Sequence, residues 1–208
     1  VGLKGELAKD CEWNVSIGRS ESEKDSKSPD GFFLKAPVDA AIASGAFNPF
    51  ETNLADPQLQ AIVVSTAYVP TVVNKTRMHT YDASLTGEVF ELPGGNAGLA
   101  VGVSRFDQFY GLNIDHESET GNAFGVLSNK SSSGSRTVSA LYAELLMPFT
   151  TSFEVQLAAR HDQYSDFGST TNPKLGLKYK PVTGLMLRAN VGTGFKAPTL
   201  SQIHDAGS

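Results

Sequence analysis

The sequence contains one cysteine, Cys11, among 208 residues, together with one tryptophan and three methionines. A single cysteine excludes an internal disulfide framework and any metal site built from several cysteines. No stretch offers the roughly 18 consecutive apolar residues that a membrane-spanning helix needs, and the start, Val1 to Lys4, lacks the organisation of a signal peptide. If this chain meets a membrane, we expect it to do so through strands.

Clustered positive charge is also lacking. The sequence has 17 Lys and Arg against 22 Asp and Glu, for a formal net charge of −5, and the cations are scattered. A nucleic-acid partner requires a basic surface that follows the phosphate backbone. We therefore expect no nucleic-acid binding.

What the sequence does have is alternation of apolar and polar residues with period two, which is typical of strands with two different faces. It is clearest in the last third, where an apolar face interleaves with a mostly polar one. The apolar positions are Phe153, Val155, Leu157, Ala159, Leu175, Leu177, Tyr179, Leu185, Leu187, Ala189 and Val191. Weaker versions occur at Trp13 to Ile17, His79 to Leu85, Ala97 to Val103 and Leu141 to Leu145. The pattern predicts about seven strands.

Short turns and long polar segments alternate along the chain. Turn chemistry is strong at Pro93 to Asn96, Pro148 to Thr151 and Pro181 to Gly184. The long loops predicted between them are Glu21 to about Met78, Asp115 to Ser135, and Asp162 to Asn172. A short helix is predicted at Val38 to Ala43, and Glu119 to Ser135 has the composition of a flexible loop. Outer-membrane barrels have short periplasmic turns and longer extracellular loops.

Periodicity alone leaves two alternatives, a soluble half-buried sheet and a sheet that faces lipid. Two features favour lipid. No segment supplies a second layer large enough to cover the apolar face, and segments such as Arg136 to Phe149 exceed the usual length of soluble strands. An open sheet edge is costly in lipid, and the chain begins without an evident strand and stops in the polar stretch Ser201 to Ser208. We therefore expect an excised piece of a larger barrel.

The last third also resembles a known family. Arg160 to Lys178 is similar to a barrel hairpin of TonB-dependent receptors, in which R-x-D-x-Y-S-D-F-G precedes N-P-K. Leu187 to Leu200 resembles the strand of that family that ends in G-x-G-F-[RK]-A-P. Val138 to Leu145 and Phe90 to Gly95 extend the resemblance, which is weaker before residue 75.

The resemblance implies an all-β fold, an antiparallel transmembrane β-barrel, here an incomplete segment with long extracellular loops. Residues 1–208 are then part of the barrel domain, without the plug domain and the remaining strands. It also implies a bacterial outer-membrane receptor that imports a ferric siderophore, cobalamin or an oligosaccharide. The implied partners are outer-membrane lipid, the TonB complex acting through the absent plug, and a small nutrient ligand.

Candidate binding residues are the polar side chains of the two-faced strands: Glu154, Gln156, Arg160, Lys178 and Arg188. In a barrel the polar face points into the lumen, where these side chains contact a plug, guide a substrate or only hydrate the wall. We expect no catalytic residues, no metal site and no cofactor.

Two motifs favour structural interpretations. Gly192 to Ala197 fits the G-x-G-x-x-[GA] dinucleotide fingerprint, but Pro198 does not begin the helix that nucleotide binding requires. The glycines are better explained by strand curvature and close packing. His161, Asp162 and Asp166 have neither metal-ligand nor nucleophile-elbow spacing, and are predicted in a solvated hairpin loop.

Three functions remain open from the residues. The first is active import through a plugged barrel, the second a passive porin with the same strand pattern, and the third a soluble β-sandwich binding module. Among these, the resemblance favours active import.

Overall fold

The computed structural model describes residues 1–8, 10–50, 55–126 and 130–204. Strands dominate them. The sheet strands are β1 (Gly2–Ala8), β2 (Cys11–Lys27), β4 (Thr71–Leu92), β5 (Gly95–Ile114), β7 (Ser132–Pro148), β8 (Phe153–Tyr164), β9 (Gly168–Val182) and β10 (Leu185–Gly192). The short strands are β3 (Phe33–Leu34) and β6 (Ala123–Phe124), and the helices are α1 (Lys35–Ala43), α2 (Pro57–Thr66), α3 (His116–Glu119) and α4 (Leu200–His204).

Eight strands form one sheet in the order β1-β2-β4-β5-β7-β8-β9-β10, while β3 and β6 pair separately. Each sheet strand therefore neighbours the previous and next sheet strands of the chain, as in a meander. The strands reach 22 residues in β4 and 20 in β5, well beyond the five or six usual in soluble sheets. The predicted all-β class and long two-faced strands are confirmed.

The sheet has eight strands instead of about seven. The additional one is β1, at the start of the chain where no strand was expected; it pairs antiparallel with β2, as in Leu3 with Val15. Its alternation is carried by two leucines, Leu3 and Leu7, with charged residues at Lys4 and Glu6. This alternation is too short to predict a strand from the sequence, and the strand is established by its pairing with β2.

The three predicted short turns are confirmed at residues 93–94, 149–152 and 183–184. At the last, Gly184 has φ +90°, a conformation that favours glycine. The predicted loops were too long. The segment from 21 to 78 is largely strand at both ends, because β2 continues to Lys27 and β4 begins at Thr71. These strand extensions consist mainly of polar residues, so the periodicity of apolar residues cannot predict their backbone pairing.

The third predicted loop, Asp162 to Asn172, is wrong: only residues 165–167 separate β8 from β9. Polar residues there are paired across the two strands, as in Asp162 with Thr170. The predicted helix at Val38 to Ala43 is confirmed within α1, whereas α2 was not predicted. The predicted polar tail begins as the short helix α4, and its last four residues, 205–208, lie outside the described residues.

Contacts divide the chain into two compact units. The first, called here the wall unit, comprises residues 1–20, 77–109 and 135–198, and the second, called the loop unit, comprises 21–76, 110–134 and 199–208. Among the described residues, no helix is both long and apolar enough to cross a membrane.

Candidate functional site

The register of β7 to β10 gives the wall unit two chemically different faces. Glu154 pairs with Lys178, and Lys178 with Arg188, so the three side chains lie in one row across β8, β9 and β10. We call this the polar face. On the other side of the sheet, Leu157 pairs with Leu145 on β7 and with Leu175 on β9. We call this side the apolar face. Because side chains alternate along a strand, each residue on these strands belongs to one face or the other.

Four of the five predicted site residues meet in one recess of about 330 Å³ on the polar face. They are Glu154, Gln156, Lys178 and Arg188, and Lys174 joins them. Three cations and one carboxylate therefore line the recess. This arrangement favours an anionic group over a cationic one.

The carboxylate of the recess is already paired. Lys178 Nζ lies 2.9 Å from Glu154 Oε2, with both side chains about three-tenths exposed. Gln156 Nε2 donates to the carboxylate of Glu144 at 2.6 Å, and Arg188 Nε donates to the sulfur of Met186. Arg188 thus has no carboxylate partner among the described contacts, which leaves its charge available to an anion.

Arg160, the fifth predicted residue, lies outside the recess. It is four positions beyond Gln156 on β8, where its Nε donates to Asp162 at 2.8 Å and its Nη2 to the Ser104 hydroxyl at 3.3 Å. Asp162 is buried beside it. Arg160 therefore links β8 to β5 across the polar face.

A second cluster gathers the motif residues of the last third around Arg136. The guanidinium, 4% exposed, donates to Asp166 at 2.6 Å and to the Pro198 carbonyl at 2.8 Å. Its Cζ lies 5.8 Å from the Tyr164 ring centre and 5.3 Å from that of Phe167, within cation–π range. Phe195 completes the packing, 5.4 Å from Phe167.

Of His161, Asp162 and Asp166, which were predicted in a solvated hairpin loop, only Asp166 lies in the turn between β8 and β9. His161 and Asp162 lie on strand β8, and Asp166 forms an ion pair with buried Arg136. The partner of Asp166 is 30 residues earlier in the chain, beyond the reach of local spacing. After Gly192 and Gly194, no helix begins until Leu200, so the dinucleotide fingerprint lacks its helix.

In the loop unit, the Asp115 carboxylate organises the segments that follow β5 and precede β4. It accepts hydrogen bonds from the Tyr68 hydroxyl, from the backbone N–H of Thr71 at 2.8 Å, and from both the N–H and hydroxyl of Ser118 at 2.9 and 2.8 Å. Burial alone would raise the pKa of Asp115, but these hydrogen bonds outweigh it and lower the pKa to about 2. Burial, and then the bond to Asp115, raise the pKa of Tyr68 to about 12.

The long connecting segments are joined to each other in this unit. Phe33 pairs with Phe124 and Leu34 with Ala123 in the two-stranded sheet, and Asn122 accepts the backbone N–H of Ala36 at 2.9 Å. Glu119 to Ser135 was predicted to be a flexible loop; its described residues 119–126 and 130–135 are ordered by these pairings and by the bond between Ile114 and the Ser131 hydroxyl. Residues 127–129 lie outside the described part. Long-range backbone pairing overrides composition here.

Some of these contacts were detectable from sequence. Lys174 and Asn190 line the recess in the same period-two phase as Lys178 and Arg188, so the same rule could have included them. Asp115 followed by Ser118 is a helix N-cap pattern. No sequence signal indicates that Tyr68 and Thr71, 47 and 44 residues away, share that carboxylate. Within the described ranges, no three His, Cys, Asp or Glu side chains are grouped to hold a metal ion.

Comparisons with known proteins bear on this arrangement. A family model described as TonB dependent receptor-like, beta-barrel, matches residues 14–207. A search of curated proteins finds no match. Among solved structures, the chain is similar to the siderophore receptor PirA from Acinetobacter baumannii, with 14% sequence identity and a TM-score of 0.47. That comparison covers 97% of this chain and 40% of PirA, so the chain spans about two-fifths of the length of that receptor.

Proposed function

The chain belongs to the TonB-dependent receptor-like β-barrel family, and we propose that it forms part of the wall of a receptor that imports a scarce nutrient with energy from TonB. The family consists of receptors and transporters of the Gram-negative outer membrane and is not an enzyme family. The nutrient classes proposed are a ferric siderophore, cobalamin or an oligosaccharide. The proposal includes coupling to TonB through a plug domain.

The observation that carries the proposal is an apolar sheet face without a covering layer. Leu157, Leu175, Leu187 and Val191 on this face are all exposed, up to 67% for Val191. The one other sheet among the described residues is the two-stranded β3–β6 pair. A β-sandwich needs a second sheet of comparable size, which the described residues do not form, whereas hydrocarbon would cover this face.

The residues at the two edges of the apolar face are of the types expected at the interfaces of a lipid bilayer. Near the short turns it ends in aromatic rings: Phe153 lies 6.4 Å from Tyr179 and 6.2 Å from Phe149. Aromatic girdles mark the interfaces of outer-membrane barrels. At the other end of β8 the same face becomes polar at His161 and Gln163. The change occurs within one strand, as expected where a bilayer ends.

The polar face would then line the lumen, and the cationic recess would lie on the substrate path or against a plug. We propose this role for Glu154, Gln156, Lys178 and Arg188, and we include Lys174 because it lines the same recess. Arg160 is proposed to brace the wall, because both of its hydrogen bonds are made within it.

The test is uptake by the full-length receptor. A strain that lacks the receptor is complemented with the gene and offered ferric chelates, cobalamin and oligosaccharides, with and without functional TonB. TonB-dependent uptake of one class supports the proposal. Uptake that persists without TonB indicates the passive porin instead, and absence of the protein from the outer-membrane fraction would refute membrane placement.

A further inference from the structure

A groove of about 570 Å³ crosses the apolar face of the wall unit at the margin where that face becomes polar. Its apolar part includes Val15, Ile17, Val103 and Leu141, and its polar part includes Arg105 and His161. All four apolar side chains are exposed, between 45% and 59%. The groove therefore presents open hydrocarbon surface beside hydrogen-bonding groups.

The register places the two kinds of group next to each other. Leu141 pairs directly with His161 across β7 and β8, and Arg105 follows Val103 by two positions on β5. Ser104, between them, accepts a hydrogen bond from Arg160 on the polar face, so Val103 and Arg105 point to the apolar face. An amphiphile lying along the groove would meet alkyl groups first and then a cation.

Arg105 is held in place but not saturated. Its Nε and Nη2 each lie 3.1 Å from Asp107 Oδ1, and Asp107 in turn accepts the Thr137 hydroxyl at 2.8 Å. The Arg105 side chain is 56% exposed. A guanidinium has five N–H donors, so Asp107 orients it while leaving donors free for another acceptor.

The charge of the residues that line the groove indicates which class of ligand the groove can bind. Arg105 is the one charged side chain among the described lining residues that points to the apolar face; Asp82 alternates with Tyr81 and Ala83, which line the groove, and so points away. A guanidinium recognises phosphate through paired N–H···O bonds. Arg105 is paired with Asp107 on the same face, so a wholly apolar occupant would leave the free N–H donors of this exposed ion pair against hydrocarbon, which is costly.

We propose that this groove binds a phosphate-bearing membrane lipid, with one acyl chain along Val103 and Leu141 and the phosphate on Arg105. The inference rests on the outer-membrane placement proposed above. In that placement the polar margin belongs to the long-loop side of the barrel, so the lipid belongs to the outer leaflet. Lipid at this groove is a structural partner of the receptor and is distinct from its imported substrate.

The experiment uses the full-length receptor, purified in a non-ionic detergent and stripped of lipid. Native mass spectrometry then measures retention of phosphatidic acid and of diacylglycerol with the same acyl chains. We expect preferential retention of one phosphatidic acid, with binding about tenfold weaker in Arg105→Gln. The matched control is Lys180→Gln, which removes an exposed cation from the polar phase of β9 and should leave retention unchanged.

A second variant tests the acyl-chain part. Leu141→Trp fills the groove while Arg105 stays intact, and should reduce retention of phosphatidic acid without abolishing folding, because position 141 is exposed. Equal retention of both lipids, or no effect of Arg105→Gln, overturns the proposal. Displacement by inorganic phosphate alone would show a headgroup site without an acyl groove and also overturns it. Uptake by the unaltered receptor is measured in parallel. If that receptor retains both lipids equally while its TonB-dependent uptake is intact, the lipid groove is refuted and the proposed import function is not.

Discussion

Arg136 brings several residues of the family motifs into contact with one side chain. The side chain is almost fully buried, yet its charge is matched by Asp166, and a third donor reaches the Pro198 carbonyl. The rings of Tyr164 and Phe167 are stacked with centres 4.3 Å apart, and both lie within cation–π range of the guanidinium. One guanidinium thus joins the start of β7, the β8–β9 turn and the segment after β10.

Removing this guanidinium should destabilise the wall strongly. We expect Arg136→Gln to lower the free energy of unfolding by about 2–3 kcal/mol, because the charged hydrogen bonds to Asp166 and to the Pro198 carbonyl are lost from a buried position. Arg136→Lys should recover only part of this, since an ammonium cannot form the same fork. Urea unfolding of the full-length receptor in lipid vesicles measures both, with Lys180→Gln as the surface control. Equal stability of all variants would contradict the role of Arg136.

Arg188 is the recess cation with no carboxylate partner among the described contacts. If the recess guides an anionic substrate, Arg188→Gln should lower the initial uptake rate about threefold at low ionic strength, and less at high salt. Initial uptake rates in cells at equal receptor abundance give the measurement, and Lys180→Gln is again the matched control. An unchanged rate would mean that the recess only hydrates the wall.

At the scale of elements, the turns of the wall unit are packed against each other. The Gly94 N–H donates to the Pro148 carbonyl at 3.1 Å, joining the β4–β5 turn to the β7–β8 turn. A Cβ at Gly94 would lie 2.5 Å from that carbonyl oxygen and closer still to the Thr150 backbone. Glycine is needed here because two backbones approach closely.

Gly94→Ala should therefore reduce the yield of folded receptor, since backbone atoms of a neighbouring turn would have to move. Gly98→Ala is the matched control, because a Cβ at Gly98 meets nothing within 4 Å. Heat-modifiable mobility on gels reports the folded fraction of each variant. The interpretation fails if the two substitutions lower the folded fraction equally.

In the loop unit, the pKa values of Asp115 and Tyr68 predict the pH range in which their hydrogen bonds are kept. Its pKa is lowered from 3.8 to about 2, so its contribution is complete above pH 3.8 and is lost as pH falls through about 2. The pKa of Tyr68 is raised from 10.0 to about 12, so that contribution is complete below pH 10 and is lost as pH rises through about 12. The hydrogen bonds around Asp115 should therefore persist between about pH 4 and 10.

Hydrogen exchange of peptides covering 110–126 in the full-length receptor tests this range. Protection, corrected for intrinsic exchange, should stay constant between about pH 4 and 10 and fall outside it. Asp115→Asn should reduce protection at pH 7, because an amide cannot accept all four hydrogen bonds. Asp39→Asn, at an exposed site on α1, serves as control. Protection unaffected by Asp115→Asn would exclude this carboxylate as the organising group.

For the whole molecule, adjacent residues on β8 face different surroundings. Leu157 lies on the apolar face and Ala158 on the polar face, paired with Leu175 and Lys174 respectively. Leu157→Lys should cost about 2–4 kcal/mol if that face meets lipid near the bilayer midplane, whereas Ala158→Lys should be tolerated. The amount of folded receptor in the outer membrane distinguishes them. Equal loss for both substitutions would contradict a lipid-facing Leu157.

The sequence by itself determined the all-β class, the two faces of β8, β9 and β10, and the three short turns, because period-two alternation and turn chemistry are local properties. The candidates on the polar phase, such as Lys178 and Arg188, followed from the same rule. Only the tertiary structure decided that Arg136 meets Asp166, that Tyr68 meets Asp115, and that β3 pairs with β6. These partners are separated by 30 to 91 residues, and backbone or ionic pairing across such distances leaves no periodic signal in the chain.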